Sequence, residues 1–71
     1  RLGAVADAVH GERVLRLSYA GADRIWTERR VWPVRLELHG GKVVLLAWCE
    51  LREDYRHFRL DRVAAAEAEA E

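Results

Sequence analysis

Seventy-one residues with twelve basic and twelve acidic side chains make one small domain of zero formal net charge, too short to bury a large active site. The balance is uneven: AAAEAEAE, residues 64–71, holds three of the twelve acids and no base, so residues 1–63 carry twelve bases against nine acids, or +3. Cys49 is the only cysteine, which excludes an intrachain disulfide and fits a reducing cytoplasm, and no apolar run approaches the ~20 residues of a membrane span.

Eleven of the twelve bases are arginine, whose planar fork of donors suits phosphate and stacks on rings. No methionine occurs, not even at position 1, so the chain reads as a segment of a longer protein.

Leu2, Val5, Ala6 and Val9 share one face of a short amphipathic helix that is expected to end near Gly11. From Arg13 the period changes to two, and Leu15, Leu17 and Tyr19 alternate with Arg16 and Ser18 as a strand buried on one face. AGAD, residues 20–23, turns the chain. RIWTERRVW forms a second strand, with Thr27, Arg29 and Val31 on one side and Trp26, Arg30 and Trp32 on the other. Pro33 is expected to interrupt it, because proline removes a ladder donor.

Val34, Leu36 and Leu38 then make a third strand, Gly40 and Gly41 a two-residue hairpin turn, and KVVLLAWC a strand apolar on both faces. YRHFRL is the fifth strand. Beyond Val63 no side chain is larger than methyl except glutamate, so residues 64–71 are expected to fray or to begin a linker, leaving residues 1–63 as the domain. One helix followed by five short strands predicts a mainly β fold, a strongly bent sheet closing into a small barrel without exposed edges.

DYRHFRLDRV places Arg56, Arg59 and Arg62 at every third position. In a regular strand Arg56 points with Phe58 and Leu60 and is partly buried, whereas Arg59 points with His57 and stays available. The arginines are either a solvated strand face, pairing with Glu53, Asp54 and Asp61 at about 0 to 1 kcal/mol per pair, or a surface for an anion. Arg29 and Arg30 lie on opposite faces, so only one can join this patch. Arg30 is the choice here, since it shares a face with Trp26 and Trp32, which either stack on a ligand or pack under the helix. Tyr19 is either a core ring with its hydroxyl at the rim or a ligand donor.

His10, His39, His57 and Cys49 have no Cys-x-x-Cys or His-x-x-x-His spacing, so neither a metal site nor a cofactor is expected. Ser18 has no nucleophile signature around it, and a thiol in an apolar strand is inert, so the chain does not read as an enzyme.

The order LRLSYAG, RRVWPVRLELHGGKVVLLAWC and YRHFRLDRV resembles the WYL domain of bacterial transcriptional regulators, from about Ala4 to Val63. Tyr19, Pro33, the glycine hairpin and the final Arg-x-Phe-Arg-Leu-Asp-Arg-Val carry the likeness. Val43, Val44 and Leu45 stand where the family has Trp-Tyr-Leu, so the stacking and hydroxyl contacts of those aromatics are lost.

The resemblance implies an Sm-like small β-barrel behind an N-terminal helix-turn-helix DNA-binding domain of the same chain. It implies a ligand-sensing role with single-stranded nucleic acid or a nucleotide as ligand, which favours the anion-binding reading of the pattern above: Tyr19, Arg30, Arg56, His57, Arg59 and Arg62 are the expected ligand-binding residues, with Arg59 the main phosphate contact. The competing reading is a protein–protein interaction or oligomerisation module, a homodimer being one form, in which the arginines make interfacial salt bridges.

Overall fold

The computed structural model describes residues 2–69 as one helix and five strands. Helix α1, Leu2–His10, buries Val5 and Ala8 on its inner face. Its end is closed by a Schellman-type pair, Glu12 N–H to the Val9 carbonyl at 3.3 Å and Arg13 N–H to the Ala8 carbonyl at 2.9 Å. The left-handed residue of this cap is Glu12, with φ 55°, rather than Gly11.

Strand β1, Leu15–Ala20, alternates as its sequence requires, with Leu15, Leu17 and Tyr19 inward. Strand β2 runs unbroken from Trp26 to His39, so the two strands expected on either side of Pro33 are one. Two features accommodate the proline. β1 pairs β2 only as far as Val31, so Pro33 lies where the ladder is one-sided, and the register against the next strand slips between Pro33 and Arg35.

Strand β3, Lys42–Cys49, lies between two neighbours and buries Val44, Leu45, Ala47 and Cys49. Its hairpin with β2 turns at Gly40 and Gly41, whose φ values of 56° and 78° suit a primed turn. Strand β4, Asp54–Arg59, precedes a single 3₁₀ turn, Leu60–Arg62, and strand β5, Val63–Ala68.

β5 corrects the expectation that residues 64–71 are a frayed linker. It pairs antiparallel with β1, from Tyr19↔Val63 to Leu15↔Ala68. Val63 is buried, and Ala66 and Ala68 pack against the core. Small side chains are what this strand needs, because α1 packs against it. Glu69 continues the attachment, its N–H donating to the Val14 carbonyl at 2.9 Å and its own carbonyl accepting from Arg13 Nη2 at 2.7 Å. Ala70 and Glu71 lie outside the described residues.

The strand order is β4-β3-β2-β1-β5, all antiparallel. Laid flat, the outer strands would stand about 19 Å apart, four spacings of about 4.8 Å. The three residues of the 3₁₀ turn join them, a reach of at most roughly 14 Å, so the sheet must curl. Curling does not close it. Among the described residues no ladder joins β4 to β5, and the closed Sm-like barrel expected from the sequence is instead an open, bent sheet. β5 uses one edge on β1, and among the described residues no second ladder forms on its other edge.

The core fills the inside of the bend. Phe58, Leu15, Leu17, Leu45, Val31 and Val63 are almost fully buried, and α1 covers one end with Val5 and Ala8. At the other end the Tyr19 ring meets Phe58 edge-on, with centroids 5.0 Å apart and planes at 88°.

Candidate functional site

Beyond Tyr19 the inner face of the bend changes from apolar to cationic. Strand pairing places Tyr19 opposite Thr27 and Leu17 opposite Arg29, so both β2 residues continue the core face. Arg29 is only 9% exposed. Its Nε donates to Thr27 Oγ1 at 3.0 Å, its Nη1 approaches Cys49 Sγ at 3.5 Å, and the Thr27 hydroxyl donates to the Tyr19 carbonyl at 3.3 Å.

Tyr19, Thr27 and Arg29 form one wall of an open cleft of about 550 Å³. Arg52, from the β3–β4 turn, Arg56 and His57, from β4, and Arg62, from the 3₁₀ turn, complete it. Four arginines therefore face one carboxylate, Asp23, whose Oδ1 accepts the Ile25 N–H at 3.0 Å. Among the described residues no carboxylate lies within ion-pair distance of Arg29, Arg52, Arg56 or Arg62. A guanidinium as buried as Arg29 needs a charged partner to offset its lost hydration, and here it has only a hydroxyl and a sulfur.

A second cleft of about 380 Å³ adjoins the first and shares Tyr19, His57 and Arg62 with it. His39, Lys42, Val44 and Arg59 line the remainder. Tyr19 thus belongs both to the core and to the walls of two clefts.

Arg59 does not stand free as the sequence suggests. It grips Asp61 at two points, Nε to Oδ1 at 3.0 Å and Nη2 to Oδ2 at 2.5 Å. This pairing raises the Arg59 pKa and lowers that of Asp61. Arg56, expected to be partly buried, is exposed, because the first four residues of β4 lie at the sheet edge beyond the core.

Arg30 lies apart from this patch, on the outer face. Its guanidinium hydrogen-bonds Glu69 and Glu50, raising its pKa, and sits 5.7 Å from the Trp32 ring centroid. Trp32 Nε1 also donates to Glu50, at 2.5 Å. Trp26 and Trp32 are exposed at 58% and 48%, so neither packs under α1. The sequence choice of Arg30 over Arg29 is therefore reversed: Arg29 lines the cleft, while Arg30 is neutralised by two glutamates.

Alternation with Val31 could have placed Arg29 inward. For Arg52, in a polar turn, no sequence signal existed. Nor did one exist for the grouping of His57, already a candidate, with Glu37 and His39, which come together from β2 and β4: Glu37 Oε1 accepts from His39 Nε2 at 2.7 Å and from His57 Nε2 at 3.1 Å, while Oε2 accepts from Arg35 Nε at 2.7 Å. The His39 and Arg35 hydrogen bonds lower the Glu37 pKa to about 2.

Fold and site together define a small, curled antiparallel sheet with a cationic cleft at the open end of its core. The model of the WYL domain matches residues 1–68, and the chain belongs to that family. Among solved structures it is similar to proteasome accessory factor B/C (PafBC) of Arthrobacter aurescens, at 35% identity and a TM-score of 0.90. That likeness covers 99% of this chain and 11% of the PafBC chain, so the domain spans about a tenth of the larger protein's length. Among curated proteins, none matches. No helix among the described residues is long and apolar enough to cross a membrane.

Proposed function

We propose that this domain is the ligand-sensing part of a bacterial transcriptional regulator and binds an anion, a nucleotide or a short single-stranded nucleic acid, in the cleft between Tyr19 and Arg62. The observation that carries the reading is the set Arg29, Arg52, Arg56 and Arg62, four cations around one cleft with no ion-paired carboxylate among the described residues. Two or more phosphates offset such charge better than water does, and arginine forks bind them at two points.

Arg56, which is exposed, and Arg62, which is half-buried at the cleft wall, are the phosphate contacts, with Tyr19 and His57 offering ring surface to a base. Arg59 is a reserve contact that must first leave Asp61. WYL membership supports a regulatory role, and the small share of PafBC that the domain covers supports its working beside other domains, a helix-turn-helix among them. Ligand binding in the cleft would bridge β2, β4 and the 3₁₀ turn, stiffening the bend and passing the bound state to whatever packs on the sheet.

The test is fluorescence anisotropy with a labelled single-stranded oligonucleotide at low salt. Arg56→Ala/Arg62→Ala should weaken binding at least tenfold with the melting temperature unchanged, since both side chains reach solvent. Equal binding by this variant and the wild type would remove the cleft from the account.

A second reading rests on the outer face, where Trp26, Trp32 and Tyr55 are all exposed. An assembly surface there would make the domain an interaction module, and its association would resist salt where phosphate binding does not.

A further inference from the structure

The hairpin end of the sheet brings three potential ligands for a metal ion to one point. Glu37 and His39 sit two apart on β2 and so share a face, while His57 reaches them from β4 on the far side of β3. One ligand atom from each, Glu37 Oε1, His39 Nε2 and His57 Nε2, lies within 4.8 Å of the others. The imidazole centroids are 5.2 Å apart with their planes tilted by 55°, so the rings converge at their Nε2 edges rather than stack.

We propose that Glu37, His39 and His57 form a binding site for a divalent first-row transition metal, Zn²⁺ being the probe of choice. Two imidazoles and one carboxylate are a nitrogen–oxygen donor set suited to Zn²⁺, Co²⁺ or Ni²⁺, and unlike the all-oxygen sets of Ca²⁺ and Mg²⁺. Metal–ligand bonds of about 2.0–2.2 Å put neighbouring ligand atoms roughly 3.3 Å apart in a tetrahedral shell. The present separations from Glu37 Oε1 are 2.7 and 3.1 Å, so a small outward shift of each ring opens the site.

Protonation is also close to what a metal needs. Glu37 supplies a carboxylate, the ionised form of glutamate at neutral pH. Arg35 Nε stays on Oε2 and orients the carboxylate from behind, leaving Oε1 for the ion. Each histidine points Nε2 at a carboxylate oxygen and must therefore carry its proton there. Metal binding requires that proton to leave Nε2, for Nδ1 or for solvent. Lys42, Arg59 and Arg62, which line the same cleft as the two histidines, oppose a bare cation and favour an anionic or hydroxide ligand in the remaining position.

No Cys-x-x-Cys or His-x-x-x-His spacing announces this set, because eighteen positions and a whole strand separate His39 from His57. Both are exposed, so their removal leaves the core intact. His10, the third histidine, lies at the end of α1 and serves as an internal control.

The experiment is a Zn²⁺ titration of the protein followed by calorimetry and by long-range ¹H–¹⁵N spectra of the imidazoles. One Zn²⁺ per chain should bind, moving the His39 and His57 protons off Nε2 and leaving His10 unchanged. His39→Ala and His57→Ala should each weaken binding at least tenfold, and His10→Ala should not. No saturable binding, unchanged His39 and His57 signals in the wild type, or an equal loss in His10→Ala would overturn the proposal. Because the wild-type spectra decide on their own, a variant that fails to fold cannot rescue it.

Discussion

Arg59 and Asp61 are two residues apart and joined at two points, so the most conspicuous arginine of the C-terminal motif is internally neutralised. Arg56 and Arg62, on either side of it, make no ion pair among the described residues, although Arg62 lies near enough to Asp61 to help lower its pKa. Under the proposed function, anion binding in the cleft therefore falls to Arg56 and Arg62 before Arg59.

This pairing makes Asp61→Asn a gain-of-binding variant. Freed from its carboxylate, Arg59 becomes available to the shared wall of the two clefts. Oligonucleotide affinity should rise at low salt, and the slope of log affinity against log salt should steepen by about 0.7, the value of one phosphate contact on a single strand. Anisotropy at four or five salt concentrations checks both.

Glu69 gives the fold a pH dependence. Its pKa is lowered, chiefly by its hydrogen bond with Arg30, so folded Glu69 holds its proton less tightly than the unfolded chain does. A depressed carboxylate pKa stabilises the fold fully above the ordinary glutamate value of about 4.3 and progressively less as pH falls through the folded value. Thermal midpoints between pH 3 and pH 6 should drop more steeply for the wild type than for Glu69→Gln, the two curves converging at the acid end.

At the β2–β3 turn, Gly41→Val should cost about 1–2 kcal/mol, since φ is 78° and a side chain strains the backbone there. A Cβ at this position meets nothing within 4 Å, so the loss would be conformational rather than steric. Denaturant unfolding measures it, and an unchanged midpoint would mean that the turn lies elsewhere.

β5 is the part of the fold whose loss should matter most. Ending the chain after Val63 removes the ladder to β1, the Arg13 and Glu69 contacts and the alanines under α1. The midpoint should fall by roughly 10 °C or more, given about 4–8 °C per kcal/mol in a domain of this size. Fraying of a dispensable tail predicts no shift.

These features were legible to different degrees. Period-two alternation located Leu15, Leu17 and Tyr19 correctly, and the helix over Leu2–His10 followed from its apolar face. Pro33 was misread as a break because the rule against proline in a ladder assumes two neighbouring strands, and β2 has only one there. β5 was misread because its anchoring is backbone pairing plus the fit of small alanines, neither of which hydrophobic periodicity detects. At the site, Tyr19, Arg56, His57 and Arg62 do come together, since they follow one another closely around the 3₁₀ turn or face it. Arg29 follows the alternation that Val31 sets, which the choice of Arg30 set aside, whereas the Glu37–His39–His57 cluster depends on the register of three strands, which local pattern does not reveal.

The central claim is that unpaired arginines in one cleft bind phosphates, and the salt dependence of wild-type binding tests it most directly. If three or four phosphates are engaged, log affinity for a labelled single-stranded oligonucleotide should fall against log salt with a slope of about −2 to −3. Arg62→Ala should reduce that slope by about 0.7 without changing the melting temperature. A flat slope, or no binding at low salt, would contradict the account and leave the arginines as a solvated strand face.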